Sequence, residues 1–359
     1  MKKFYILILS ILFITCNKVN KIEDTFVFDT LSVEQQIKQI SNQAENISIN
    51  KLKLTTKEFS RYVIKKGDFI EIVNDGTVLD SLIINADSVT IVANNLAYMD
   101  KPILTKYPNK IIIDGKNKTN IGILVNGKKV TLINFSVINC RQVGVRWNGE
   151  KGYAANGNIS KIGFNYFNNT DSILFSNQSG FRIYGEGTVL NNIDIDSTAF
   201  DACGIGVSGV VIKNSKFTNV ALAGHSNGDG IQLYENVVPN EAVFTLTDSY
   251  IEVKSAVKHC LLGHDRKILA FNNILSGGSS GIIAGAGSII KNNTIKDQLT
   301  NSYTNTIGRG IILMSLDVIC EENILVNDDT GILVKTVGVK PELEFDNEFI
   351  NCLYKVRYK

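Results

Sequence analysis

The stretch GHSNGDGIQLYENV, residues 224–237, places His225, Asp229 and Gln232 within eight positions, and the whole chain has only three histidines. The other two, His259 and His264, stand in KHCLLGHDRK beside Lys258, Asp265 and Arg266. These residue types suit proton transfer next to an anion. An imidazole or carboxyl group takes or gives the proton, and lysine or arginine holds negative charge as it develops. Tyr234 and Arg309 add a phenol and a further guanidinium. NGDG is equally a turn sequence, with Asn227 and Gly228 supplying positive φ and Asp229 bonding local amides. The choice depends on what folds residues 225 to 309 onto one face.

The element that can do so is a repeat. VTLINFSVIN, TVLNNIDID, VVIKNSKFTN, ILAFNNIL, SIIKNNTIK, VICEENILVN and LEFDNEFIN alternate apolar and polar residues, then close on an apolar anchor after a small polar pair. With ISKIGFNYFNN and FTLTDSYIE, the anchors are Val137, Phe167, Ile193, Phe217, Ile251, Ile274, Ile295, Ile324 and Phe349, spaced 21 to 34 residues apart. Period-two alternation marks half-buried strands, and a recurrence above twenty residues is one solenoid coil of two or three strands. Asparagine recurs two positions before an anchor, at 165, 191, 272, 293 and 347. It tolerates left-handed backbone and bonds its neighbours' amides, so it suits stacked turns.

A second ladder, IGILV, CGIGV, DGIQL, SGIIA, RGIIL and TGILV, lies between the first, each glycine marking a tight corner into a strand. Only four prolines interrupt the chain, as expected where nearly every segment donates to a ladder. SVEQQIKQI at 32–40 has capping-box spacing at Ser32 and Gln35 and is expected to form a short N-terminal helix closing the first coil. The expected fold is all-β: a right-handed parallel β-helix with that capping helix, one domain over 31–359. Coils stack about 4.8 Å apart. DGIQLY then lies against HCLLGH, SGIIAG and RGIILM in turn. Asp229 comes near His259, Tyr234 near His264, and Arg309 lies two coils further on.

The ladders, with KKGDFIEIVNDG leading into KIIIDGKN and VTLINFSVIN, resemble the right-handed parallel β-helix proteins of the pectate-lyase-like superfamily. The opening is most similar to the polysaccharide lyases that include chondroitinase B and alginate lyases. The resemblance covers roughly residues 60–355 at the level of fold. It implies an extracellular acidic polysaccharide as partner and, by resemblance alone, calcium as a possible cofactor. Where that family carries an Asn-Lys-Ser run and an Arg-His-Gly run, this chain has VKHCLLGHDRKILAFNN, in which Lys258 and His264 are the loose counterparts.

The resemblance implies β-elimination on a uronate polymer. Lys258, Arg266 or Arg309 would neutralise the uronate carboxylate and His225 or His264 would remove the α-proton. Tyr234 would return a proton to the leaving oxygen, and Gln232 and Asp265 would contact substrate. Hydrolysis is the alternative. NGDGIQ resembles the NTDG stretch of polygalacturonase-like glycosidases, and inversion needs two carboxyl groups about 6.5–9.5 Å apart, for which Asp229 and Asp265 are the nameable pair. A third reading is a non-catalytic glycan-binding or adhesive surface, for which Trp147, with Arg146 and Tyr153, forms a groove wall or covers the side of the helix.

The remaining features set the compartment. The opening MKKFYILILSILFITC has two lysines and an apolar run that ends at Cys16, a secretory signal too short to span a membrane. A cysteine directly after such a run resembles the lipobox of bacterial lipoproteins, which implies acylation of Cys16, a tether over 17–30, and residence at the outer membrane or cell surface through a lipid anchor alone. Cleavage nearby without acylation is the alternative. The five later cysteines are scattered without CxxC, so they read as core residues and neither a disulfide framework nor a metal site. Acids and bases interleave to a net charge of +2, which leaves no basic stripe for nucleic acid. The protein is expected to act as a monomer.

Overall fold

In the computed structural model the described residues are 51–96, 110–163, 178–222, 228–234, 242–256, 258–300 and 307–359. The leader with Cys16, the tether, the segment 32–40, Phe167 and His225 lie outside them. The compact unit that carries these residues is Ile49–Lys359.

Three strands make a coil. Ser280–Ala284, Ser288–Lys291 and Thr294–Lys296 form one, and Arg309–Leu313, Val318–Glu321 and Ile324–Val326 the next. The first strand of each coil joins an 11-stranded sheet and the other two an 18-stranded sheet. Coil pairs with coil in parallel, Ile282 to Ile311, Ile290 to Cys320 and Ile295 to Leu325. The chain is a parallel β-helix.

The interior is a column of anchors, Phe217, Ile251, Leu275, Ile295, Leu325 and Phe349 in register. Three sequence-derived anchors move: Ile193 gives way to Ile195, which is in register with Phe217, and two others move by one residue. Ile274 is 42 % exposed while Leu275 is fully buried, and Leu325 replaces Ile324. For those two the cause is the polar residue two positions upstream. Ile193 N donates to Ser215 Oγ, Ser215 N to Ser249 Oγ, Ser249 N to Asn273 Oδ1, Asn273 N to Asn293 Oδ1, Asn293 N to Asn323 Oδ1 and Asn323 N to Asn347 Oδ1, all at 3.0–3.2 Å. In FNNIL the second asparagine, Asn273, enters this ladder. Asn272 takes left-handed backbone (φ 57°) and faces outward. Since side chains alternate, the ladder residue fixes which following apolar residue points inward.

Corner glycines recur where most coils enter the 11-stranded sheet. A Cβ on Gly281 would overlap Ile295, and one on Gly310 would overlap Leu325, so the anchors pack directly on bare backbone. A short helix, Thr56–Phe59, follows the first described strand, with Thr55 and Glu58 closing a reciprocal capping box and Phe59 buried. Its signature, TTKE, is legible in the sequence. Cys140, Cys203, Cys260 and Cys320 are free and buried, as core residues should be. Trp147 forms no groove wall and is a strand residue sealed in the core inside the helix. Tyr153 is buried as well but on the outer side of its strand, in register with Thr131 and Val189 while Ala154 points inward with Leu132 and Leu190, so it packs on the flank, its hydroxyl accepting from Asn191 Nδ2 at 3.1 Å.

Candidate functional site

Alternation gives the 11-stranded sheet one outward position per coil. Ile83 and Leu124 occupy it in the first two coils, Arg146, Arg182, Gly204 and Gln232 in the next four, Leu262, Ile283, Ile312 and Leu333 in the four after, and Arg357 in the last. Only the third to sixth coils present a polar stretch between apolar ones. A functional site on this face belongs there.

Gly204 is the key to its geometry. Any side chain at 204 would collide with the Tyr234 hydroxyl, because the Tyr234 ring reaches back one coil and lies over that backbone. Arg182, one coil further back, donates from Nε and Nη2 to the Tyr234 hydroxyl at 3.0 and 2.9 Å. Tyr184 stands beside it, ring centroids 6.4 Å apart, and Arg146 caps Tyr184 with its guanidinium carbon 5.3 Å from the ring centre. Burial raises the Tyr234 pKa, and Asp201 raises it further against the opposing pull of Arg182. The phenol therefore keeps its proton at neutral pH.

Three positions upstream of the outward residues lie Asp201, Asp229 and His259 on successive coils. Asp201 Oδ1 accepts from Asp229 N at 2.9 Å, and Asp229 Oδ1 accepts from His259 N at 2.8 Å. Both carboxyl groups are buried, and desolvation raises both pKa values. That of Asp201 is raised further by the Asp229 charge, while Lys258 opposes the shift on each. His259 Nδ1 lies 3.2 Å from Ser279 Oγ. Burial, then the neighbouring Lys258, pushes its pKa down to about 4, so the imidazole is neutral.

The other sequence-derived residues distribute as follows. Gln232 faces outward within the polar stretch. His264 takes left-handed backbone (φ 54°) in the turn after His259–Leu262. Extending the Gln232–Leu262 register by two residues sets it opposite Tyr234. Arg309 stands two coils beyond His259, through Ser280. Arg266 is buried and paired with Asp265 in the turn, so its charge is already matched. Asp265 thereby sits in that turn rather than beside Asp229. The carboxyl group next to Asp229 is Asp201.

Arg182 and Asp201 were missed in the sequence. Aligning CGIGV with DGIQL by glycine sets Gly204 against Gly230, whereas the register sets it against Gln232. The corner position in that coil belongs to Ala202. The correct frame would have stacked Asp201 on Asp229. Among the described residues no group of three His, Cys, Asp or Glu could hold a metal. Asp201 and Asp229 each commit an oxygen to an amide and have cationic Lys258 nearby, a poor donor set for calcium.

No protein-family model matches the sequence, and no curated protein matches it. Two solved structures are similar in fold. The mannuronan C-5 epimerase AlgE4 A-module of Azotobacter vinelandii has 10% identity and a TM-score of 0.44, over 88% of this chain and 91% of that one. An alginate lyase, AlyF-OU02, in complex with G6 has 15% identity and a TM-score of 0.39, over 84% and 71%. Both likenesses are remote, and the fold assignment stands on the strand register.

Proposed function

We propose that this protein is a lyase that cleaves a uronate polymer by β-elimination, with Arg182 and Tyr234 at its centre. The observation that carries the reading is the double hydrogen bond from Arg182 to the Tyr234 hydroxyl above Gly204, on a polar stretch rich in cations. In this reading Lys258 neutralises the substrate carboxylate, which makes its α-proton removable, while Arg146, four coils away, meets a neighbouring uronate. His264 takes that proton from C5. The electron pair forms the C4–C5 double bond, the C4–O4 bond breaks, and Tyr234 protonates the departing oxygen as the general acid. Arg182 holds the phenol in line and balances the phenolate that remains.

The Asp201–Asp229 pair supports a second reading, hydrolysis. Two titratable groups whose surroundings drive their pKa values apart are a way to make an acid and a base. One experiment separates the two. Residues 17–359 are incubated with alginate and other uronate polymers, and the ultraviolet absorbance of an unsaturated uronate is followed beside the count of reducing ends. Elimination raises both, whereas hydrolysis raises reducing ends alone. Neither rising on any polymer would overturn both readings in favour of glycan binding. We further propose that the protein works outside the cell, held to a membrane by an acylated Cys16.

A further inference from the structure

Beyond the polar stretch, the last three coils gather charge of one sign. Arg309 opens the strand Arg309–Leu313, and Lys335 directly follows the strand Thr330–Val334. Arg357 lies in the last strand, Tyr354–Tyr358, and Lys359 follows it. The register Arg309–Thr330–Tyr354 and Ile312–Leu333–Arg357 brings these coils into one surface. The apolar strip on that surface is closed to solvent, Ile283, Ile312 and Leu333 being 7 %, 1 % and 3 % exposed, so what the face offers is its cations.

Among the described residues these cations meet no carboxylate, and Arg357 lies over the Tyr354 ring, 4.7 Å from its centroid. Elsewhere the described residues pair lysine with carboxylate, as in Lys128–Glu150, Lys291–Glu321 and Lys355–Glu344. Among the described residues no ion pair takes up Arg309, Lys335, Arg357 or Lys359. Instead they repel one another. Burial and then Arg357 lower the pKa of Arg309, and burial, then Arg309 and Lys359, lower that of Lys335. Like charges kept together at a cost in stability point to an anion brought from outside.

We propose that Arg309, Lys335, Arg357 and Lys359 form a binding region for a polyanionic chain running along the helix axis, distinct from the Arg182–Tyr234 centre. Three coil steps, roughly 14 Å at about 4.8 Å each, separate the strand before Tyr234 from that of Arg309, and two more reach Arg357. A coil step is close to the length of one 1,4-linked pyranose. A polymer seated at the centre therefore reaches these cations with about its third to fifth residue on the C-terminal side. That length dependence rests on the elimination reading, whereas binding itself does not.

The test uses residues 17–359 and the variant Lys335→Gln/Arg357→Gln/Lys359→Gln, first matched for circular dichroism and thermal midpoint. Binding of alginate oligosaccharides from dimer to octamer, and of heparin as an unrelated polyanion, is measured at low and high salt. Octamer and heparin are expected to bind the variant about tenfold more weakly at low salt, with the gap closing at high salt and the dimer unaffected. Octamer and heparin binding equally well to both proteins would overturn the proposal. If no polymer is cleaved but the heparin loss is seen, the region stands and the elimination reading falls.

Discussion

A phenol that receives two guanidinium hydrogens and nevertheless holds its proton is under opposing influences. Arg182 favours the phenolate, and burial with Asp201 favours the phenol. That balance is what a group cycling between donor and anion needs, and it can be disturbed from a distance. Gly204→Ala changes no group that touches substrate, yet the added methyl occupies the place of the Tyr234 hydroxyl. Displacement of about 1 Å at a reacting group costs about 100-fold, so kcat should fall on that scale while the thermal midpoint moves little. Tyr234→Phe should lower kcat by about 100- to 10,000-fold with KM nearly unchanged, and steady-state kinetics on a uronate polymer checks both. At this scale the sequence singled out Asp229, Tyr234 and His264 as candidates, because histidine is rare here and NGDG is conspicuous. It hid Arg182, which lies in the plain string SGFRIYG. Only the register, displaced by the misleading glycine of CGIGV, brings that residue to Tyr234.

Among the elements, the polar ladder decides more than the apolar anchors do. Asn293 Oδ1 accepts from both Asn273 N and Asn273 Nδ2. Asn293→Ala would leave a buried amide without an acceptor, at about 1–3 kcal/mol, measurable as a lower urea midpoint. Asn293→Ser should recover part of the loss, since Ser215 and Ser249 already fill the same role. Another buried turn residue imposes a pH dependence. Asp328 gives one oxygen to Gln298 N while its Oδ2 has no hydrogen-bond partner among the described residues, and burial raises its pKa to about 8. In the unfolded chain it ionises near ~4. Its contribution is thus fully present below about pH 4 and is lost as pH rises toward 8. Stability should fall less steeply over that window in Asp328→Asn than in the parent, by denaturant titration at several pH values. Coil period and strand type were legible from periodicity alone. The inward residue in FNNIL and EENIL was not, because two adjacent apolar residues satisfy the pattern equally and only a contact between coils chooses one.

For the whole molecule, stacking along one axis lets a chain of this length bury a core without a globule's size limit. In the proposed reading it also gives an extended polymer a straight surface, with chemistry at one level and charge at another. The outward column, apolar then polar then apolar, shows that coils alike in backbone differ in what they present. Anchorage is tested separately from chemistry. Expressed with its leader and fed a labelled fatty acid, the protein should incorporate label, and Cys16→Ser should abolish incorporation and release the protein from membranes with its activity intact.

The ladder runs in a single direction. The oxygen that accepts each corner amide, from Ile193 to Asn323, belongs to the coil that follows it in sequence. A ribosome delivers coils in that same order, so the newest corner of a nascent chain carries an unmet donor until the next coil emerges. Growth is then self-sealing at every step but the last. A chain halted at a coil boundary should stay open to protease over its final turn alone, with everything synthesised earlier already closed.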